Sequence, residues 1–334
     1  MKKTTKFMLQ MLVTVGLLIF VATRIDWPQL KGTFRDTKWL FLFLTLLLNL
    51  LAFWLRSVKL WYILKMQKCS INTHKIFSAS VVSTLYGMAL PNALDTGIKW
   101  YILKRHAGEG TRILSSMFYG QVTEIVFMLL LGFSALLITN PGGGWHIPVI
   151  SLASLFIVIV FCFLMLNRTI GTWLNAVFGR LFKFLPSKVK AKGQAILEQL
   201  YVFQIARWQF HLNVALLTLA ATIASFALFI FAALAANINV PLAVIAWQTV
   251  LIYILGRLPI SVANLGVREV TLIESLAVYS VSASAALLMS MVIFSNSIFI
   301  ALVGAGYQLF WTLKSEKLTS PPDKKDLNAR TDKS

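Results

Sequence analysis

Apolar residues run along this chain in stretches far longer than a globular pattern allows. Six of them, roughly 7–23, 39–55, 113–138, 148–166, 209–235 and 284–312, are close to or above the roughly 20 residues a helix needs to cross a bilayer. Two further apolar stretches, 76–104 and 241–280, are interrupted by proline and glycine and carry charges. The pattern predicts an all-α polytopic membrane protein with about six full spans and two broken, re-entrant helical hairpins. Between the fourth and fifth spans, 167–208 mixes Trp173, Phe178, Leu181 and Phe182 with Arg180, Lys183, Lys188, Lys190 and Lys192, which fits an amphipathic helix on the membrane surface. The polar residues after Lys314, with Pro321 and Pro322, read as a disordered tail.

The two broken stretches resemble each other. Leu90-Pro91 leads through Asn92 and Asp95 to Gly97, Ile98 and Lys99; Leu258-Pro259 leads through Ser261 and Asn264 to Gly266, Val267 and Arg268. Each falls at the same place in a succession of span, span, hairpin, span. The chain therefore divides into a first half, 1–145, and a second half, 146–313, of opposite orientation, followed by the tail 314–334. Interrupted helices at matching places in two inverted halves are the sequence mark of a transporter's binding site.

Composition and charge agree with that picture. Hydrophobic residues make up 58% of the chain and charged residues 13%, with a mean hydropathy of +0.76. Soluble domains carry about 25% charged residues, so a soluble enzyme is excluded. The net charge of +19 does not mark a nucleic-acid binder, because the basic residues lie in short loops and not on one soluble face. With the N-terminus inside, Lys and Arg number three before the first span, five in 56–75, three in 104–112, seven in 167–208 and six in the tail, twenty-four in all. The outside loop 24–38 has four. Both termini are expected on the cytoplasmic side of the cytoplasmic (inner) membrane. Lys2, Lys3 and Lys6 before Phe7–Ala22 could open a signal peptide, but no small-x-small cleavage site precedes Arg24, so an uncleaved span is expected. Cys69 and Cys162 imply no disulfide framework, the four histidines have no metal-ligand spacing, and no nucleotide loop is present. No cofactor is expected.

Ions at membrane depth cost roughly 2.5–3.5 kcal/mol each on insertion scales and so demand a reason. The candidates are Asp95, Lys99, Glu124, Arg257, Arg268 and Glu269, with Glu274 beside them. Asp95 and Lys99 stand four apart and Gln121 and Glu124 three apart, so each pair shares a helix face. Helices starting at Pro91 and Pro259 would turn free N–H groups toward the breaks and, with Lys99, Arg257 and Arg268, hold a phosphate. The competing reading is that Asp95–Lys99 and Arg268–Glu269 merely neutralise one another. Arg56, Lys59 and Trp61 close the second span and read as an interfacial anchor.

The succession Arg56-x-x-Lys59-x-Trp61, Leu90-Pro91 to Gly97 and Lys99, Glu124, then Leu258-Pro259-x-Ser261 to Gly266-Val267-Arg268-Glu269 resembles the lysylphosphatidylglycerol synthase transmembrane-region family over about 7–312. The resemblance implies a helical domain with re-entrant elements that flips a polar lipid between leaflets. It further implies a stand-alone member without the attached synthase, and so without aminoacyl transfer. Lys99 stands where arginine is usual, and Ala263-Asn264 replaces part of a glycine-rich run, so the lipid is expected to differ from the aminoacylated one. The function expected is a flippase for a phosphate-bearing lipid (phospholipid, aminoacyl-lipid or lipid-linked sugar), a transporter and not an enzyme. Its partners would be membrane lipids. The alternatives are a membrane enzyme acting on a lipid-linked sugar or phosphate, and a scaffold recruiting envelope lipid or polysaccharide synthesis enzymes.

Overall fold

The computed structural model describes residues 37–89, 93–141, 143–166, 202–258, 261 and 264–319, with isolated positions at 15, 19, 23, 28, 32, 35 and 199. Among the described residues every regular element is a helix. In chain order these are α1 (Trp39–Met66), α2 (Thr73–Ala89), α3 (Ala93–Ala107), α4 (Gly110–Thr139), α5 (His146–Leu166), α6 (Trp208–Ala235), α7 (Leu242–Leu255), α8 (Val267–Ala277) and α9 (Ala283–Thr319). Helices α1, α4, α6 and α9 are long and apolar enough to cross a membrane. The chain is a multi-pass membrane protein. Both broken stretches are helix, break and helix, α2–α3 and α7–α8. Pro91 and Pro259 lie outside the described residues, as do most of the expected span 7–23 and the expected surface helix up to 198.

The helices turn their greasy faces outward. On α1, Leu40, Phe43, Leu47, Leu51 and Trp54 recur every three or four residues and are exposed, while Thr45, Ser57 and Lys59 on the other side are buried. That inversion suits hydrocarbon, where apolar packing has no driving force and polar contacts hold helices together. The buried Asn296 of α9 supplies one, donating from Nδ2 to Thr45 Oγ1 at 2.9 Å, while Asn49 donates to its carbonyl at 3.1 Å.

Packing fixes directions. The α1–α6 pair makes the most extensive interface and runs antiparallel: the Lys38 N–H reaches the Ala235 carbonyl at one end, and Asn213 donates to the Tyr62 hydroxyl at the other. Helix α2 packs on α9, and α7 on α4. Both contacts pass through a glycine. A Cβ on Gly304 would lie 2.3 Å from the Val81 carbonyl oxygen, and one on Gly132 would lie 2.7 Å from Val250 Cγ1. Small residues let helix backbones approach this closely.

Two boundaries differ from the sequence expectation. Helix α1 runs to Met66, eleven residues past the expected end at 55, because the segment Leu60–Leu64 stays apolar and buries Leu60, Ile63 and Leu64. Helix α9 continues to Thr319, into the expected tail, since no helix breaker stands before Pro321.

Candidate functional site

Helices α1, α2, α3, α4 and α7 line an open cavity of about 430 Å³. Its charged lining comprises Arg56 and Lys59 from α1, Asp95 and Lys99 from α3, Glu124 from α4, and Arg257 just past α7. Glu124 is fourteen residues from the start of α4 and fifteen from its end, so at 1.5 Å per residue it stands ~21 Å from one end and ~22 Å from the other. The cavity therefore lies beside the midpoint of α4.

Glu124 organises the floor. Arg56 Nε donates to Oε1 at 2.8 Å, and Lys59 Nζ lies 3.5 Å from Oε2. Arg56 also donates to Ser225 Oγ on α6 at 2.8 Å, and Lys59 to the Gly120 carbonyl at 3.0 Å. The carboxylate is therefore occupied by the protein's own cations. Four cations and two acids leave this cavity with an excess of two positive charges. Arg257 lies over the Tyr253 ring, 4.0 Å from its centroid, and donates to the Tyr253 hydroxyl. Among the described residues neither Lys99 nor Arg257 forms an ion pair with a carboxylate.

A second cavity of about 420 Å³ adjoins the first and shares Thr84, Asp95, Thr96, Gln121, Gly256 and Arg257 with it. Its remaining wall includes Asn264, Phe294 and Ser297. Gln121 and Glu124 thus face inward together, as their spacing predicts.

The hairpin residues are placed differently from the sequence reading. Helix α8 starts after Gly266, whose φ of +82° is tolerable only without a side chain. Glu269 reaches back to accept the Gly266 N–H at 2.6 Å, a box-like cap. The carboxylate of Glu269, itself paired with Arg268, thus stands at the start of this helix, where the sequence reading placed a phosphate. Helix α3 starts at Ala93 with Asp95 in its first turn, where its Oδ1 accepts from the Thr96 N–H and, at 3.1 Å, from the Thr96 hydroxyl. Asp95 and Lys99 form no ion pair. Gly97 lies inside α3, exposed and with open space around it, so it is not the counterpart of the capping Gly266. Ser261 is buried, and its hydroxyl has no hydrogen-bond partner among the described residues.

Arg268 and Glu269 are not in the cavity lining. Both are buried, bonded to each other and to Ser290: Arg268 Nε donates to Ser290 Oγ at 2.7 Å, and that hydroxyl donates to Glu269 Oε1 at 2.7 Å. Arg268 also lies 5.2 Å from the centroid of Phe294, bracing the wall of the second cavity. This is the neutralised pair of the competing reading. Glu269→Gln keeps an acceptor for Gly266 but removes the charge beside Arg268. It should cost about 1.5–3 kcal/mol, the worth of a charged hydrogen bond, measurable as a lower unfolding midpoint in detergent.

Arg56 and Lys59, expected as interfacial anchors, instead face the site; Lys59 is only 3% exposed. The signal that could have found them is the apolar run following Lys59, which puts the pair inside a helix and not at its end. A family model described as the lysylphosphatidylglycerol synthase TM region matches residues 7–304. No curated protein and no solved structure matches the chain.

Proposed function

The chain belongs to this family, and from that premise we propose that it is a lipid flippase, carrying a phosphate-bearing headgroup between leaflets while the acyl chains stay in the bilayer. One observation carries the reading: Lys99 and Arg257 face a cavity beside the midpoint of α4, with excess positive charge, and have no carboxylate partner among the described residues. Unpaired cations at this depth are expensive and mark a substrate path. An enzyme acting on a lipid phosphate would need a carboxyl free to work on it. Glu124 is held by two cations, which leaves Asp95 as the one cavity carboxyl without an ion pair among the described residues and favours transport over chemistry needing an acid and a base.

The inverted repeat of halves 1–145 and 146–313 belongs to this proposal, and the packing supports it. Exchanging the halves turns α1 into α6, α2 into α7, α4 into α9, and the α2–α9 contact into the α7–α4 contact. Arg56 and Ser225, which bond each other, each stand seventeen residues after the start of their helix. Gly132 and Gly304 stand 22 and 21 residues into α4 and α9. The valines they meet, Val250 and Val81, each stand eight residues into α7 and α2. Two halves that interlock through equivalent contacts can rock about a common axis and expose the cavity to either leaflet. Six full spans and cytoplasmic termini in the inner membrane complete the proposal. The basic loops still favour that orientation once Arg56 and Lys59 are counted as interior.

Lys99→Gln and Arg257→Gln test it. Each removes a charged hydrogen bond to the headgroup worth about 1.5–3 kcal/mol, so each should slow translocation of a fluorescent anionic phospholipid in proteoliposomes at least about tenfold. Lys99 forms no ion pair among the described residues, so the unfolding midpoint of its variant should stay near wild type, while Arg257→Gln also gives up the Tyr253 contact and its midpoint should fall slightly. Unchanged translocation by both folded variants would refute the assignment.

A further inference from the structure

The two joined cavities differ in chemistry, and a headgroup occupying both must match each. The first holds the excess of two positive charges, with Lys99 and Arg257 unpaired by carboxylates. The second adds no cation. Its own groups are the Asn264 amide and the Ser297 hydroxyl, with Phe294 as an apolar wall, and the Gln121 amide lies where the two cavities join. Among the described residues neither amide has a hydrogen-bond partner. Asn264 has a φ of +60° and packs closely on Gly256, its Nδ2 lying 3.0 Å from where a Cβ there would be. Asp95, between the two cavities, accepts from Thr96 and keeps lone pairs for further donors.

Amides offer donors and acceptors without net charge, which is what hydroxyl groups require. A flat aromatic wall suits the C–H face of a polyol. An amine-bearing headgroup would bring a positive charge into a space that already has two in excess, and like charges brought together in such a site are strongly disfavoured.

Resting on the flippase reading, we infer that the site selects an anionic phosphodiester bearing a neutral polyol, with phosphate at Lys99 and Arg257 and hydroxyls at Gln121, Asn264 and Ser297, and that it discriminates against amine-bearing headgroups. Arg268 stacks on Phe294 but does not line either cavity.

The test uses the full chain in phosphatidylcholine vesicles with trace fluorescent phosphatidylglycerol, phosphatidylethanolamine, lysyl-phosphatidylglycerol or phosphatidic acid. A parallel arm measures uptake of radiolabelled glycerol 3-phosphate into the same vesicles. The expected result is that phosphatidylglycerol moves at least tenfold faster than either amine-bearing lipid. In Gln121→Leu and Asn264→Leu, each verified as folded by size exclusion, the rate of phosphatidylglycerol relative to phosphatidic acid should fall. Equal rates for the polyol and amine lipids, or a preference for the amines, would overturn the selectivity and leave the flippase standing. Uptake of glycerol 3-phosphate with no lipid movement would overturn the lipid as the source of the phosphopolyol. Movement of none of the probes would overturn both readings.

Discussion

Glu124→Gln is expected to cost the folded protein about 3–5 kcal/mol, the penalty for breaking a buried ion pair from one side. Its carboxylate is 10% exposed and is shared by two cations, Arg56 at 2.8 Å and Lys59 at 3.5 Å. An amide of the same shape keeps one oxygen to accept but neutralises neither. The Lys59 side chain is 4% exposed; whichever cation faced the amide nitrogen would keep only its other bond, to the Gly120 carbonyl for Lys59 or the Ser225 hydroxyl for Arg56. The cluster ties α1 to α4 and α6, so the loss should appear as a single lower unfolding midpoint in detergent and not as local fraying. Lys59→Met in the same chain removes one stranded cation and should restore part of the stability. Glu124→Gln with Lys59→Met should therefore be more stable than Glu124→Gln alone. A variant with wild-type stability would show that the carboxylate is not the counter-ion holding these helices.

That cluster also marks how far the sequence could be read. The long helices were legible because a span in hydrocarbon must be apolar over roughly 20 residues, and the Pro/Gly breaks located the hairpins. The mid-depth charge of Glu124 was legible for the same reason. Its partners were not, because Arg56 lies 68 residues away and is brought to it by tertiary packing. Reading charges as the end of a span failed at Arg56 and Lys59: α1 buries them in a polar interior and continues for seven residues past Lys59. Spacing was a sound guide to faces, since Gln121 and Glu124 line one cavity together and so do Asp95 and Lys99, but not to pairing, since Asp95 and Lys99 form no ion pair. Asp95 occupies a helix's first turn, where backbone N–H groups need an acceptor, and that local demand outweighs a partner four residues on. The Arg268–Glu269 motif gave the most specific sequence signal, and in the structure it caps α8 and braces Phe294 outside the cavity. A motif can be specific because it builds the hairpin that carries the site.

The second large effect is expected at Gly304, and its comparison with Gly132 tests the interlocking of the halves directly. Gly304→Leu should lower stability by at least about 3 kcal/mol, the upper part of the range for overpacking, and should release α2 from α9. The first added atom would lie 2.3 Å from the Val81 carbonyl oxygen and 2.7 Å from its carbon, and backbone cannot swing aside as a side chain can. Even Gly304→Ala should be poorly tolerated. At Gly132 the same added Cβ meets the Val250 side chain instead, at 2.7 Å from Cγ1 and 2.9 Å from Cβ. Valine is stiff about χ1, so Gly132→Ala also strains the α4–α7 contact, but here the obstacle is removable. Val250→Ala should rescue Gly132→Ala, whereas Val81→Ala should not rescue Gly304→Ala. Unfolding midpoints of the four single variants and two double variants would decide this. If the halves move against each other, the rescued Gly132 double variant should also recover translocation. Equal rescue at both glycines would mean that α2 can shift along α9, and the close backbone approach there could not serve as a fixed pivot.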